Sequence, residues 1–262
     1  LSLHDALPIL RADDKLKMMS IAFTGIDHVE LSACNKDVMV SNAAGYSTNS
    51  VAELAIGLAL AVFRNIVPLD GITRDGNTKS GYSQVELNGK TFGVVGTGAI
   101  GSAVCRLAKA FGCTVLGYNR SEKEELKKIG VKYVSLDELL SKSDVVSIHL
   151  PQSSVTKGLI NREKIALMKN SAVLINAARG PIVDNNALAE ALKNGKIGGA
   201  GIDVFDGEPP LDTSYPLLHA PNTVLTPHIG FATKEAMVRR AHITFDNIIK
   251  WLDGNPQNVV KF

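Results

Sequence analysis

The feature that most constrains this chain is a glycine pattern in a fixed context. The apolar run Phe92-Gly93-Val94-Val95 leads straight into Gly96-Thr97-Gly98-Ala99-Ile100-Gly101, and a helical pattern follows to about Phe111. Strand, G-x-G-x-x-G and helix in that order make a dinucleotide-binding turn. Gly96 forms the tight bend, Gly98 lets backbone approach a pyrophosphate, and Gly101 lets the helix pack on the strand. The free N–H groups of the helix's first turn then face the anion.

The rest of the chain is written in the same alternation. Apolar runs at residues 114–118, 145–150, 173–176, 200–204 and 224–226 are separated by helical patterns near 122–129, 162–167 and 186–193. Such alternation gives a parallel sheet covered on both faces, so the expected fold class is α/β, a doubly wound parallel sheet of Rossmann type. Ser50-x-x-Glu53, Ser121-x-x-Glu124 and Ser135-x-x-Glu138 have capping-box form and are expected to mark helix starts. Residues 75–83, rich in Gly, Ser, Thr and Asn, read as a surface loop between a long helix and the first strand of the sheet.

Bulk properties narrow the partners. Lys plus Arg number 28 against 26 Asp plus Glu, so no strong field exists to attract nucleic acid or an anionic membrane, and neither partner is expected. The longest apolar run, residues 54–63, is too short for a membrane span and reads as a buried helix. Cys34, Cys105 and Cys113 lack metal-ligand spacing and lie in apolar surroundings. They are expected to be buried thiols in a reducing cytoplasm, with no metal site.

Chemistry-bearing residues recur at one kind of position. Arg179 follows the run at 173–176, Asp203 the run ending near 202, and His228 the run at 224–226. In an open parallel sheet the carboxyl ends of strands share one edge, where ligands bind and where the glycine loop also lies. An arginine, an acid and a histidine are thus delivered to the cofactor's crevice. Glu208 adds a second acid on the loop after Asp203, ahead of Pro209 and Pro210. His149 also ends a strand pattern and is expected to line the cofactor pocket through its backbone. His28, His219 and His242 lack such context and are assigned to structure.

Four blocks in order, Val94 to Gly101, Ile175-Asn176-Ala177-Ala178-Arg179-Gly180, Gly201-Ile202-Asp203-Val204-Phe205 with Glu208-Pro209, and Thr226-Pro227-His228-Ile229-Gly230, resemble the D-isomer-specific 2-hydroxyacid dehydrogenases. Upstream, Phe23-Thr24-Gly25-Ile26-Asp27-His28-Val29 and Asn42-Ala43-Ala44-Gly45-Tyr46-Ser47-Thr48 extend the match, with Ala44 in place of a proline common in the family. The resemblance implies hydride transfer between NAD(P)H and a 2-keto acid, giving a D-2-hydroxy acid. Arg179 would grip the substrate's carboxylate and carbonyl oxygens, His228 would donate the proton, and Glu208 would hold His228 in position. The carboxylate site would be completed by Thr24, Gly25 and Ile26. The cofactor would be lined by Gly96, Gly98, Ala99, Ile100, Gly101, His149, Pro151, Thr156, Ala177, Ala178, Asp203, His228 and Gly230. Two other classes share the family's fold: dehydrogenase-like NAD(P)-sensing corepressors, and dehydrogenases of formate or phosphite.

A signal for the identity of the nicotinamide cofactor sits after the second strand. NAD-specific enzymes place an acid there for the ribose 2'-hydroxyl; this chain has Asn119, then Arg120 and Ser121. A neutral amide, a cation and a hydroxyl favour a 2'-phosphate, so the expected cofactor is NAD(P)H with a leaning to NADP(H).

The resemblance also implies a division of the chain. Residues 49–229 would be the NAD(P)-binding domain, and residues 10–48 with 230–262 the remnant of a flavodoxin-like substrate domain that is truncated at its start. Residues 1–9 resemble a translated sequencing adapter and are expected to be non-native. In this form the chain is expected to bind cofactor and turn over poorly. The long helix from Asn49 to Asn65, apolar on nearly all faces, suggests burial against a second subunit and hence a homodimer.

Overall fold

The computed structural model describes residues 15–26, 29–30, 34–35 and 37–260. The nine residues expected to be non-native lie outside the described residues, as does His28. In chain order the elements begin with β1 (Met18–Ile21), β2 (Met39–Asn42), α1 (Thr48–Phe63), α2 (Ile66–Arg74), β3 (Thr91–Val95), α3 (Ala99–Ala110) and β4 (Thr114–Tyr118). There follow α4 (Glu124–Lys128), β5 (Lys132–Tyr133), α5 (Leu136–Lys142), β6 (Val145–Ile148), α6 (Arg162–Ala166) and β7 (Val173–Asn176). The last are α7 (Asn185–Lys193), β8 (Gly199–Ile202), β9 (Thr223–Leu225) and α8 (Lys234–Leu252).

The chain divides into two compact units. One holds the described residues up to Ser47 together with those from Phe231 onward; the other is Thr48–Gly230. In the smaller unit β1 and β2 pair in parallel, Met18 opposite Met39. Ile21, Val38 and Val40 form its core. Asn247 of α8 is fully buried, and its Nδ2 donates to the Asn42 carbonyl at 2.9 Å while its Oδ1 accepts from Asn258 Nδ2 at 3.0 Å. A buried amide satisfied on both ends fixes how the helix sits on β2.

In the larger unit seven strands form one parallel sheet in the order β5-β4-β3-β6-β7-β8-β9. The order reverses between β3 and β6, which opens a crevice at the carboxyl ends of those strands. Both faces are apolar because side chains alternate along each strand. In β7, Leu174 joins the core shared with α5, α6 and α7, whereas Val173 and Ile175 join the core shared with α1, α3 and α4. The doubly wound α/β class expected from the alternation is the one observed.

Several local expectations need correction. Ser135 does cap a helix, its Oγ accepting from Glu138 N at 3.2 Å. Ser50, however, lies inside α1, which already starts at Thr48. Ser121 caps nothing: the N-cap of α4 is Lys123, whose N–H donates to the Tyr133 hydroxyl at 3.1 Å, so the helix start is displaced two residues onward. The long helix ends at Phe63 and does not reach Asn65. Asn65 takes a left-handed backbone, φ 50°, with its Nδ2 donating to the Ser83 carbonyl at 2.7 Å. The pattern also gave no sign of α2, none of whose nine residues is buried, nor of the two-residue edge strand β5.

Cys105 and Cys113 are buried free thiols, pushed by burial up to about 12 and about 11, and Cys34 is a half-buried free thiol. Among the described residues no single helix is long and apolar enough to cross a membrane.

Leu174, fully buried between β6 and β8, makes the packing testable. Leu174→Ala should cost about 2–5 kcal/mol through lost transfer energy and the cavity left behind. Urea unfolding measures this directly, and a loss under ~1 kcal/mol would contradict a close-packed core at that point.

Candidate active site

Because all seven strands are parallel, the segments that follow them emerge along one edge of the sheet. They include the glycine loop after β3, Asn119 after β4, His149 after β6, Arg179 after β7, Asp203 after β8 and His228 after β9.

The glycine loop is built by three different demands. Gly96 has φ +95°, and a Cβ there would lie 2.9 Å from the backbone of His149. At Gly101 a Cβ would meet the Gly96 carbonyl oxygen at 1.9 Å, so helix and strand touch only because the side chain is absent. Gly98, the N-cap of α3, is exposed and has open space where a Cβ would be. Ala99 beside it is also exposed, and Ile100 is half-buried. An exposed helix N-terminus with clear space above a glycine fits a pyrophosphate.

The Arg179 turn rests on Asn176, which is fully buried. Asn176 Oδ1 accepts from Ala178 N at 3.1 Å and its Nδ2 donates to the Arg179 carbonyl at 3.0 Å. Arg179 Nη1 donates to the Ala178 carbonyl at 2.8 Å. Next to it, a Cβ on Gly180 would fall 1.8 Å from the Phe205 carbonyl oxygen, so the turns after β7 and β8 are in backbone contact. Ala177 is buried and Ala178 half-buried.

Asp203 is 1% exposed and serves as the anchor of the His228 loop. Its Oδ1 accepts from Thr226 Oγ1 at 2.6 Å and from Ile229 N at 2.8 Å, and its Oδ2 accepts from Gly230 N at 2.9 Å. The Asp203 carbonyl accepts from His228 N at 2.8 Å. His228 itself has φ 56°, a left-handed backbone that a histidine adopts at a cost of order 1–3 kcal/mol and keeps only where its surroundings insist. Glu208 completes the arrangement: both its carboxylate oxygens lie 2.9 Å from His228 Nδ1. The histidine side chain is largely covered and the glutamate largely exposed.

Other expected positions show their own geometry. His149 Nε2 pairs with Ser147 Oγ at 2.8 Å, and its Nδ1 is sealed from solvent without a hydrogen-bond partner. Desolvation by burial pushes the imidazole down to about 3, so it stays neutral. Thr156 Oγ1 donates to the Pro151 carbonyl at 2.7 Å, closing an exposed turn. Asn119 Nδ2 donates to the Ser121 carbonyl at 2.8 Å, and Arg120 is exposed. His219 bonds the Thr213 carbonyl at 2.6 Å. Thr24, Gly25 and Ile26 belong to the smaller unit, where the Thr24 carbonyl accepts from Asn42 Nδ2 at 2.8 Å. Among the described residues no group of three or more His, Cys, Asp or Glu side chains is placed to hold a metal.

Two supports were missed in the sequence. Asp206 accepts from Asn185 Nδ2 at 2.9 Å and from the Tyr215 hydroxyl at 3.0 Å, tying the Glu208 loop to the start of α7. Thr97, fully buried inside the glycine motif, bonds the Tyr133 hydroxyl at 2.9 Å. A hydroxyl in the middle of an otherwise apolar motif is the one sequence sign that something must bond it.

The sheet order, the glycine loop at its switch point and the polar groups along its carboxyl edge define a dinucleotide-binding protein of the doubly wound class. The family model described as the D-isomer specific 2-hydroxyacid dehydrogenase NAD-binding domain matches residues 56–230. A D-3-phosphoglycerate dehydrogenase of Methanocaldococcus jannaschii is 41% identical over 257 residues, covering 96% of this chain and 49% of its own. The chain thus spans about half the length of that relative. A glyoxylate reductase of Thermofilum pendens is 41% identical over 254 residues, covering 94% of this chain and 75% of its own. Among solved structures, D-lactate dehydrogenase from Aquifex aeolicus, complexed with NAD and lactic acid, is 36% identical with a TM-score of 0.86, covering 92% of this chain and 78% of its own. The chain belongs to the D-isomer-specific 2-hydroxyacid dehydrogenase family, and its larger unit carries the NAD-binding domain.

Neutral His149 has a consequence in acid. Unfolded, it would take up a proton near 6.5; folded, only near 3. The unfolded chain therefore binds more protons between those values, and stability falls as pH drops from about 6.5. His149→Gln should show a shallower loss between pH 7 and 5 in urea unfolding, and equal slopes for the two proteins would count against a buried neutral ring.

Proposed function

We propose that this protein reduces 2-keto acids to D-2-hydroxy acids, using NADPH in preference to NADH. The observation that carries the reading is the Glu208–His228 pair at the same sheet edge as the glycine loop and Arg179. Glu208 engages Nδ1, which sets the ring's tautomer and orientation and leaves the transferable proton on Nε2. His228 delivers that proton to the carbonyl oxygen, a step of a kind worth about 10²–10⁴ in rate. Arg179 offers a planar fork to the substrate's carboxylate and steadies charge on the carbonyl oxygen. The bound nicotinamide supplies the hydride.

His228→Ala should therefore lower kcat by about 10²–10⁴ while leaving the Kd of the cofactor near its original value. Arg179→Lys should also lose most of kcat/KM, because a point charge cannot replace a bidentate fork. Assays would follow NADPH oxidation with glyoxylate, hydroxypyruvate, pyruvate and phenylpyruvate. Turnover on a 2-keto acid left unchanged by His228→Ala and by Arg179→Lys would overturn the catalytic reading.

The preference for NADPH is supported by the end of β4. Neutral Asn119 stands where an acid would repel a 2'-phosphate, its amide turned to the Ser121 carbonyl, and exposed Arg120 follows. The kcat/KM ratio should favour NADPH, and Asn119→Asp should shift it toward NADH. A wild-type preference for NADH of about tenfold or more, equal to ~1.4 kcal/mol in the opposite sense, would overturn this assignment.

We also propose a homodimer through the helix region from Asn49 to Asn65. Its support is the exposed apolar pair Ile66 and Val67, 53% and 56% accessible, in the first turn of α2 just beyond that region.

A further inference from the structure

A closed circuit of hydrogen bonds lies beneath the glycine loop. Thr97 Oγ1 and the Tyr133 hydroxyl are 2.9 Å apart. The same hydroxyl accepts from the Lys123 backbone N–H at 3.1 Å. Lys123 Nζ donates to Ser102 Oγ at 3.1 Å, and Ser102 Oγ donates to the Thr97 carbonyl at 3.0 Å, which closes the ring. Its four members come from different places: the glycine loop, the first turns of α3, the start of α4 and the edge strand β5.

Tyr133 reaches Thr97 only because of what lies between them. It pairs with Gly117 in β4, and a Cβ on Gly117 would sit 3.2 Å from the tyrosine ring. The missing side chain lets the ring lie across β4 so that an edge-strand hydroxyl meets the loop leaving β3. Thr97 is fully buried, so its hydroxyl needs this partner. Neither Tyr133 nor Thr97 belongs to the set that contacts substrate or supplies the proton.

The two segments joined by Tyr133 do different work in a dinucleotide site. The glycine loop presents backbone N–H groups to a pyrophosphate, and the segment after the second strand faces the adenosine ribose. Both depend on backbone orientation, which a short loop cannot hold alone. We propose that Tyr133 is a positioning residue for the dinucleotide, its hydroxyl clamping the pyrophosphate loop to the ribose loop. The proposal rests on the nicotinamide-cofactor reading given above and needs no turnover to be tested.

Fluorescence titration with NADPH and NADH would compare wild type, Tyr133→Phe, Thr97→Val and the double variant. Tyr133→Phe keeps the ring on Gly117 and removes only the hydroxyl. It should weaken binding of both nucleotides by roughly tenfold, the scale of one hydrogen bond left unmade. The double variant should bind no more weakly than Tyr133→Phe alone, since the bond that Thr97→Val removes is already lost with the Tyr133 hydroxyl. A lowered unfolding midpoint with unchanged Kd would make Tyr133 merely structural and overturn the proposal, as would losses that multiply. Should Tyr133→Phe fail to fold, Thr97→Val decides, and unchanged affinity there overturns it. A wild type that binds neither nucleotide would overturn the functional reading and this proposal together; wild-type binding matched by Tyr133→Phe would overturn this proposal alone.

Discussion

The carboxylate of Asp203 is the constraint on which the site's geometry depends. A carboxylate at 1% exposure is tolerated only when its oxygens are matched by donors. Here three donors converge on it, the Thr226 hydroxyl and the N–H groups of Ile229 and Gly230. They bracket His228 on both sides, so the cost of burying the charge is offset by the bonds that force the histidine's left-handed backbone. Gly230 fits because a Cβ there would already stand 3.0 Å from Asp203 Oδ2.

From that anchor the site is connected outward through close backbone packing. Asp203 N donates to the Asn176 carbonyl at 2.9 Å, linking the turn after β8 to the turn that carries Arg179. Gly180 under the Phe205 carbonyl seals the two turns together, and Asp206 pins the outgoing chain before Glu208. Glu208 itself is exposed, so its position is owed to this loop and to His228. Rigid strands thus hold the three loops, and across two of them Glu208 and His228 meet at 2.9 Å.

The sequence revealed the parts whose signal is local. Strand, G-x-G-x-x-G and helix are contiguous, so the dinucleotide turn could be read directly, and the apolar runs placed Arg179, Asp203 and His228 after strands. Parts that depend on distant residues left little trace. Tyr133 meets Thr97 across 36 residues of chain, and no period or motif joins them. The same tyrosine displaced the start of α4 from the serine that capping form would select. Asn65 and Asp206 acquire their roles from Ser83, Asn185 and Tyr215, partners that only folding supplies.

The central claim is that Glu208 acts through His228. Single-turnover rates for Glu208→Gln, His228→Ala and the double variant, each saturated with NADPH and a 2-keto acid, test it most directly. Glu208→Gln should slow hydride transfer in the presence of His228 and add no further loss in its absence. Losses that simply multiply, with Glu208→Gln as damaging in the His228→Ala background as beside the native histidine, would contradict it.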